Sequence, residues 1–224
     1  MNITEKTDII NYLGKKFNYS SFLEISSTTT GYAFDKIDND IFTTKEILLY
    51  IPPKTNLCRL SKRHDVAKIP INYDNGIKNL ANRKFDIVFV DPWHSFEQSK
   101  IDIDNAMKFV NDNGIIVVHD CNPLEFIHTG SYKNSIWCGQ TYEAFIDFKV
   151  NNPTIESYVV NTDYGCGIIK KNSNNTNIYE LPNNLTTKDV TKWNYFNQHR
   201  KTLLNLITVE EFIIKTNIIS YDIK

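Results

Sequence analysis

The sequence predicts an α/β fold built on a mostly parallel sheet, and three patterns carry this prediction. FDIVFVD (85–91) and GIIVVHD (114–120) are nearly continuous apolar runs, as expected for strands covered on both faces. A helical stripe over residues 95–110 joins them, so the three segments predict a parallel β-α-β unit. Two further strand-like runs flank Thr162-Asp163, which predicts a hairpin that closes the sheet.

The elements before this unit follow from shorter patterns. Apolar residues at helical spacing between Ile9 and Phe17 predict an N-terminal helix, and SSFLEIS (20–26) predicts the first strand. KEILLYI (45–51) fits either the end of a helix or a strand, because the run is short and apolar throughout. IPINY (69–73) predicts one more short strand.

The elements of the β-α-β unit and of the region after it are more clearly marked. Ser95 is suited to cap the helix that ends near residue 110, and NDNG (111–114) predicts a turn before the next strand. A helix is predicted over 140–150. The tail over 193–215 is predicted to be helical, since Phe196, Leu203, Leu206 and Ile207 recur on one side.

Length and composition favour one globular core and exclude several functional classes. The chain has 224 residues and a net charge of -1, so no basic field indicates binding to nucleic acid or to an anionic membrane. No apolar run is long enough to span a bilayer, and the N-terminus lacks the pattern of a signal peptide. The four cysteines are scattered, which is typical of reduced thiols. We therefore expect a cytoplasmic protein.

The same considerations suggest how the chain is divided. We expect a main domain over residues 1–172 and a C-terminal helical extension over 173–224 that packs on it. The alternative is that the extension forms a docking surface for a partner chain, in which case its helices would support a homo-oligomer.

Polar residues gather at the ends of three predicted strands, at Ser26–Gly31, Asp91–His94 and His119–Asn122. Open parallel sheets bind ligands beyond the carboxyl ends of their strands, so this coincidence predicts a functional rim. Each residue also has a structural explanation: an acid can cap a helix, a tryptophan can fill the core, and an Asp can close a local turn.

The stretch from Phe85 to Pro123 resembles the second half of class I S-adenosylmethionine-dependent methyltransferases. The shared pattern is an apolar strand ending in D-x-x-H, a helix, a glycine-bearing turn and a strand ending in H-D. FLEISSTTTGYAFDKID resembles the first strand and cofactor loop of a subgroup of these enzymes, and the likeness extends loosely over residues 9–170. It implies a Rossmann-like seven-stranded sheet with an antiparallel last strand, helices on both faces and, in this chain, extra C-terminal helices.

The resemblance also implies a cofactor, S-adenosylmethionine, and the residues that would bind it. On the cofactor side these residues are Glu24, Ser26, Ser27, Thr30, Gly31, Asn75, Asp91 and Trp93. The family loop E-x-G-x-x-x-G carries glycines where the backbone must approach a ligand, whereas this chain has Ser26 and Thr30 at those places.

Methyl transfer to a hydroxyl requires that one proton leave the acceptor, and the resemblance offers two routes. In the first, His94 acts as the general base, with Asp91 and His119 as further catalytic candidates. In the second, Mg²⁺ lowers the pKa of the hydroxyl, held by Asp91, Asp120 and Asn122, whose oxygen atoms suit a hard cation. The candidates for binding the acceptor, a small molecule or a glycan, are Asp120, Asn122, Trp137 and Tyr142.

Two other classes of protein remain to be weighed against an O-methyltransferase. A non-catalytic scaffold or partner subunit on a degenerate methyltransferase fold is one, and the missing loop glycines favour it. Another α/β enzyme is the second, but the sequence has neither the G-x-G-x-x-G of nicotinamide enzymes nor the G-x-S-x-G of hydrolases.

Overall fold

A computed structural model of the chain describes residues 2–27, 33–50, 77–132, 135–171, 180–182 and 184–219. The strands are β1 (Ser21–Ser27), β2 (Thr44–Tyr50), β3 (Phe85–Asp91), β4 (Val110–Val118), β5 (Glu156–Val160), β6 (Cys166–Lys170) and β7 (Leu206–Ile207). The α-helices are α1 (Lys6–Phe17), α2 (Ala33–Lys36), α3 (Phe96–Phe109), α4 (Thr141–Asn151), α5 (Thr187–Val190), α6 (Trp193–Leu204) and α7 (Val209–Ile219), and Phe126–His128 form a 3₁₀ turn.

The described strands form one seven-stranded sheet in the order β2-β1-β3-β4-β6-β5-β7. Strands β1 to β4 are mutually parallel, and β6 runs antiparallel to both of its neighbours, β4 and β5. The predicted fold class is therefore confirmed, with the antiparallel strand in the second arm of the hairpin. The two-residue β7 pairs parallel to β5 and adds a seventh strand that the sequence did not suggest.

The central strand β3 shows why the fold forms around this segment. Its residues from Phe85 to Val90 are buried except for Asp86, because β1 and β4 flank it and helices cover its faces. Val88 and Val90 belong to the apolar cluster that contains α3, α4 and α6, whereas Ile87 and Phe89 belong to the cluster that contains α1 and α7. Helices thus lie on both faces of the sheet, as predicted.

Two local predictions differ from the structure. The segment predicted as a turn, 111–114, lies within β4, where the register against β3 shifts between Phe85 and Ile87. The tail is helical except at Leu206 and Ile207, which form β7, because Asn205 adopts a left-handed backbone (φ 46°) that ends α6. KEILLYI is resolved in favour of a strand, β2, and Ser95 caps α3 as expected by accepting a hydrogen bond from the Gln98 amide. The strand predicted at 69–73 lies outside the described residues.

The C-terminal segments pack onto the sheet rather than away from it. Phe196, Leu203 and Leu204 of α6 are fully buried on one face, and Phe212 of α7 is fully buried on the other. These contacts agree with an extension packed on the same domain, and the division at residue 172 stays a prediction. Among the helices of the described ranges, none has the length and apolar character to cross a membrane. Cys121, Cys138 and Cys166 are buried free thiols.

Candidate functional site

Four polar side chains meet at the carboxyl ends of β3 and β4. They are Asp91, His94, His119 and Asp120, each 3 to 6% exposed, and we call them the strand-end cluster. Asp91 is buried although it lies at the rim of the sheet, which the sequence pattern alone does not indicate. Burying four ionisable groups together is costly unless they satisfy one another or a ligand.

The backbone brings these residues together in three steps. Asp91 is the last residue of β3 and lies in register with Ser26 at the end of β1. The His119 amide donates to the Val90 carbonyl (2.9 Å), which ties the end of β4 to the end of β3. Asp120 then has a left-handed backbone (φ 60°), and such positions in non-glycine residues concentrate at functional sites.

The ring of His94 is held in a defined tautomer. Its Nδ1 lies 2.6 Å from the Trp137 carbonyl oxygen, which can only accept, so Nδ1 carries the hydrogen and donates. Its Nε2 lies 3.4 Å from Asp91 Oδ1 and 3.2 Å from Asp120 Oδ2. His94 therefore presents to the two carboxylates either a second N–H, as an imidazolium, or a lone pair that a cation would share.

Gly139 allows the loop to approach the backbone of His94. The Gln140 amide donates to the His94 carbonyl oxygen (2.7 Å), and Gly139 beside it has a φ of +57°. A Cβ atom on Gly139 would lie 2.1 Å from that carbonyl oxygen, a distance no side chain can accept. The glycine is thus required for the loop that supplies the Trp137 carbonyl.

His119 lies on the other side of the same carboxylates. Its Nδ1 is 3.1 Å from Asp120 Oδ2 and 3.7 Å from Asp91 Oδ1, yet it is buried and makes no hydrogen bond of acceptable geometry. Its Nε2 lies 3.3 Å from Asp163 Oδ2 and 3.4 Å from Lys6 Nζ. His119 thus connects the strand-end cluster to a second pair of charged groups.

Sequence reasoning missed that pair, Lys6 and Asp163. The Lys6 amide donates to Asp163 Oδ2 (3.0 Å), and the Lys6 ammonium lies 3.7 Å from the same oxygen. Asp163 belongs to the hairpin turn, whose Gly165 (φ +89°) approaches the Asn122 backbone so closely that a Cβ would lie 2.5 Å from its nitrogen. Asp163 lies in the predicted hairpin turn and Lys6 lies just before the apolar stripe of the predicted N-terminal helix, so neither residue carried a sequence signal beyond its local role.

The charges of the cluster shift the pKa values of its members in opposite directions. Burial alone would raise the pKa of Asp91, but the neighbouring His119 and His94 rings lower it well below its usual range. Burial alone would lower the pKa of His94, but the Asp120 and Asp91 carboxylates raise it above its usual value. The pKa of His119 is raised further, against its burial, by Asp120, Asp163 and Asp91. Without another cation, both imidazoles tend to hold a proton.

The predicted cofactor side is only partly within the described residues. Glu24, Ser26 and Ser27 are buried in the last half of β1, and the Ser26 hydroxyl donates to Glu24 Oε1 (2.7 Å). Thr30, Gly31 and Asn75 lie outside the described residues. Because Ser26 is in register with Asp91, the described polar groups fit a ligand that lies across the ends of β1 and β3, where α/β folds bind cofactors.

The predicted acceptor side contains an aromatic cluster beside His94. Trp93, Tyr132 and Trp137 lie with ring centroids 4.9 to 5.1 Å apart, and the Trp137 ring lies 4.8 Å from that of His94. Tyr132 is 46% exposed, so the cluster reaches the surface. Part of the loop that carries it, residues 133–134, lies outside the described residues.

Two predicted acceptor residues make other contacts. Tyr142 is buried in the core, where its ring packs on Phe196 and its hydroxyl donates to the Thr191 carbonyl (2.9 Å). The Asn122 amide oxygen accepts from Arg200 Nη1 (2.9 Å), and its nitrogen donates to Asn161 Oδ1 (3.1 Å). Neither side chain points its polar group at the strand-end cluster as the predicted roles require.

The donor atoms of the strand-end cluster fit a divalent cation. One oxygen of Asp91, one of Asp120 and Nε2 of His94 lie within 4.8 Å of one another. The Nδ1–H of His94 donates to the Trp137 carbonyl, which is how metal-binding histidines are usually oriented. The third residue of this candidate set is His94, whereas the set suggested from the sequence contained Asn122.

Comparisons with known proteins agree with this fold. Residues 53–121 match the family model described as a methyltransferase domain, a range that includes β3, α3, β4 and the strand-end cluster. No curated protein matches the chain in sequence. A protein from Staphylococcus aureus provisionally described as a caffeoyl-CoA O-methyltransferase aligns with a TM-score of 0.52 and 19% identity, over 75% of this chain and 85% of that one.

An O-methyltransferase from Bacillus cereus, solved in complex with SAH, aligns with a TM-score of 0.44 and 12% identity, over 76% of this chain and 83% of that one. At these identities, structural likeness concerns the fold. The family-model match and the fold together confirm the resemblance drawn from the D-x-x-H and H-D strand ends.

Proposed function

We propose that this chain is a class I S-adenosylmethionine-dependent methyltransferase that transfers the methyl group to a hydroxyl of a small molecule or a glycan. One observation carries the proposal. Asp91, His94 and Asp120, which lay in two separate strand-end motifs of the sequence, converge in one buried cluster at the carboxyl edge of the sheet. Groups that can hold or remove a proton there are suited to O-methyl transfer.

The cofactor would lie across the ends of β1 and β3. Glu24, Ser26 and Ser27 offer polar groups at the end of β1, and Asp91 lies beside them in register. Trp93 offers a flat apolar surface next to Asp91. We keep Thr30, Gly31 and Asn75 as proposed cofactor residues from the resemblance alone.

The acceptor proton has two candidate receivers, His94 and His119. His94 Nε2 faces the two carboxylates, and their charges stabilise the imidazolium that forms when the ring takes a proton. The same charges raise its pKa, which favours the protonated ring, and a protonated ring has to lose that proton before it can act as a base. His119 faces the same carboxylates and has the same requirement.

A divalent cation offers the other route, and Asp91, Asp120 and His94 would hold it. A bound cation lowers the pKa of a hydroxyl that coordinates it. Such an ion would neutralise the carboxylates, and the hydrogen bond from His94 Nδ1 to the Trp137 carbonyl would leave the Nε2 lone pair available to bind it.

The aromatic cluster favours an acceptor molecule that has a flat ring or an apolar sugar face. Trp93, Tyr132 and Trp137 form an aromatic surface beside His94, and such surfaces bind aromatic rings or the apolar faces of sugars. Tyr132 is exposed enough to contact an acceptor that enters from solvent. This arrangement favours a phenolic or sugar hydroxyl over an extended aliphatic one.

A homo-oligomer formed through the C-terminal helices and a cytoplasmic location both remain predictions. Ile214 and Ile218 on α7 are 60% and 63% exposed, which supports a homo-oligomer formed through the C-terminal helices. Sedimentation of the purified chain measures the oligomeric state directly. Cytoplasmic location follows only from the sequence arguments given above.

Cofactor binding tests the proposal most directly. We expect S-adenosylmethionine and its demethylated product to bind in calorimetry, and a ligand at 100 times its Kd to stabilise the fold by about 2.7 kcal/mol. We expect His94→Ala to keep cofactor binding and to lose about 10²–10⁴-fold in the rate of methyl transfer to phenolic or sugar acceptors. A flat calorimetric and thermal response at millimolar cofactor would instead support the non-catalytic scaffold.

A further inference from the structure

We propose that Arg200, on helix α6 of the C-terminal extension, is a positioning residue for the strand-end cluster. Its guanidinium holds Asn122 and Pro123, and these two residues fix the backbone turn that directs the Asp120 carboxylate at the two histidine rings. The proposal rests on the proposed function, because the reaction at this cluster is the one that Arg200 would serve. It goes beyond that function by giving the C-terminal extension a part in the chemistry.

The Asp120 carboxylate has to be placed accurately, because one of its oxygen atoms faces two rings. Asp120 Oδ2 lies 3.2 Å from His94 Nε2 and 3.1 Å from His119 Nδ1. A misplacement of about 1 Å in an active site can cost about 10²-fold in rate. The left-handed backbone of Asp120 (φ 60°) is disfavoured in a residue with a side chain, so neighbouring groups must hold it.

The hairpin between β5 and β6 holds one side of this turn by accepting its hydrogen bonds. The Cys121 and Asn122 amides donate to carbonyl oxygens of the hairpin turn (3.0 and 2.7 Å). The Asn122 side-chain nitrogen donates to Asn161 Oδ1 (3.1 Å) in the same hairpin. The hairpin thus takes three donors of this segment, and it leaves two acceptors, the Asn122 amide oxygen and the Pro123 carbonyl oxygen, for another partner.

Arg200 supplies the donors for these two acceptors. Its Nη1 lies 2.9 Å from Asn122 Oδ1 and 2.9 Å from the Pro123 carbonyl oxygen, and its Nη2 donates to Asn197 Oδ1 (2.5 Å) on the same helix. A guanidinium has five N–H donors in one fixed plane and no acceptor, so it can bind acceptors of several residues at once. The ammonium of a lysine lacks this planar arrangement and would not replace it.

Two aromatic rings of α6 hold the guanidinium in place. Arg200 Cζ lies 5.0 Å from the centroid of the Phe196 ring and 5.6 Å from that of the Trp193 ring, distances at which a cation and an aromatic face attract each other. The apolar residues that dock α6 onto the sheet are Phe196, Leu203 and Leu204, all fully buried. Because these residues dock the helix, removal of the guanidinium should release the two acceptors while α6 stays in place.

NMR of the histidine rings tests the positioning directly and needs no bound ligand. His94 and His119 both contact Asp120 Oδ2, so the chemical shifts of their ring nitrogens depend on where that carboxylate lies. We expect Arg200→Ala to shift the ring signals of both histidines at constant pH. Lys201→Ala is the matched control, because Lys201 is the next residue of α6 and is exposed. It removes the same charge from the helix and should leave both ring signals in place.

Steady-state kinetics then measure the effect on the reaction. We expect Arg200→Ala to lower kcat for phenolic or sugar acceptors by about 10–100-fold and to change the Kd for S-adenosylmethionine by less than about twofold. Asn122→Ala should also lower kcat, and the double variant should lose less than the product of the two single losses, because both substitutions break one contact. Methylguanidinium at millimolar concentration should restore part of the rate of Arg200→Ala, whereas methylammonium should not. Lys201→Ala should keep the kcat of the unmodified protein.

Unchanged ring signals or an unchanged kcat in folded Arg200→Ala would each overturn the proposal, and so would independent losses in the double variant. If Arg200→Ala does not fold, Asn122→Ala takes its place, because it removes one acceptor of the same contact, and unchanged ring signals in that variant would also overturn the proposal. The methyltransferase proposal fails in a different way. If the unmodified protein transfers no methyl group while Arg200→Ala still shifts both ring signals, only the methyltransferase activity is removed.

Discussion

The central strand β3 carries one aspartate at each end, and the two have opposite environments. Asp86, near its start, accepts hydrogen bonds from the Ser20 amide (2.9 Å), the Ser21 amide (3.0 Å), the Ser21 hydroxyl (2.8 Å) and the Asn111 side-chain amide (2.7 Å). Asp91, at its end, faces another carboxylate, Asp120, across the rings of His94 and His119.

The difference shows how a structural acid is told from a functional one. Neutral donors fixed by the backbone surround Asp86, so its charge is satisfied in the folded protein without any other molecule. The partners of Asp91 are themselves ionisable, and their satisfaction depends on protons or on a ligand. The amino end of β3 is thus built for stability and the carboxyl end for chemistry, in agreement with the general placement of sites in parallel sheets.

Exchanging each aspartate for asparagine is the strongest test of this contrast. We expect Asp91→Asn to reduce the rate of methyl transfer by at least about 10²-fold, because it removes a charge from the strand-end cluster. At a pH above the folded pKa values of His94 and His119, its stability should change little or increase, since the substitution relieves the burial of an acid beside Asp120. At lower pH its stability should fall, since both rings lose a carboxylate partner. Turnover and urea unfolding of the same preparation measure both quantities.

Asp86→Asn is the matched control and should behave in the reverse way. It replaces a charged acceptor of several hydrogen bonds, so we expect a loss of about 2–3 kcal/mol in the free energy of unfolding. The rate per folded molecule should stay close to that of the unmodified protein. If Asp86→Asn impairs turnover in folded protein as much as Asp91→Asn does, the two ends of β3 are not functionally distinct.

The same contrast explains how far the sequence could predict the molecule. Continuous apolar runs and one helical stripe suffice for the β-α-β unit, since burial on both faces leaves a clear pattern around Asp86 and Asp91. The strand-end motifs also predicted which residues would gather. They could not predict that Asp91 would be buried, because its cover comes from distant segments that include Lys6 and the loop through Trp137.

The residues around the strand-end cluster show in more detail what the sequence could not predict. Asn122 is adjacent to the H-D motif, and its type fits a cation, but the hairpin turn and Arg200 hold its amide elsewhere. Asp163 and Lys6 lie far from the motifs in sequence and reach His119 only through tertiary packing. Such contacts leave no local pattern, so they could be found only in three dimensions.

A pair of glycines in the loop over the site offers a smaller test. Gly139 and Gly130 both have positive φ (+57° and +80°), but only Gly139 lies against His94, while a Cβ on Gly130 would meet nothing within 4 Å. Both Ala substitutions carry the backbone strain of a left-handed residue, about 1–2 kcal/mol. We expect Gly139→Ala to reduce turnover by about 10-fold or more by displacing His94, and Gly130→Ala to leave it nearly unchanged.

The comparison of the two glycines separates the effect of the Gly139 contact with His94 from the effect of backbone strain, which both substitutions share. Similar melting temperatures with different rates would support a positioning role for the Gly139 loop. Equal losses of activity in both variants would show that backbone strain in the loop, rather than the approach to His94, controls the site.

The smallest expected effect is the difference in how the two aspartates respond to pH. Burial would raise the pKa of Asp86, but its hydrogen bonds from Ser20, Ser21 and Asn111 lower it below 3.8. Its stabilisation is therefore present above about pH 4 and is lost as the pH falls through the folded pKa, because the unfolded state takes up the proton first. We expect the stability difference between the unmodified protein and Asp86→Asn to be constant from about pH 5 to pH 9 and to shrink in acid.

In metal-free protein, the interaction of Asp91 with His94 and His119 should make the free energy of unfolding fall as the pH rises. The pKa values of both histidines are raised, so the stability they gain from the carboxylates is fully present below about pH 6.5 and is lost as the pH rises through their folded values. Urea unfolding of the unmodified protein and of Asp91→Asn between about pH 5 and pH 9 should show their difference changing in favour of Asp91→Asn as the pH rises. A difference as constant over this range as that of Asp86→Asn would mean that the histidines do not titrate with Asp91.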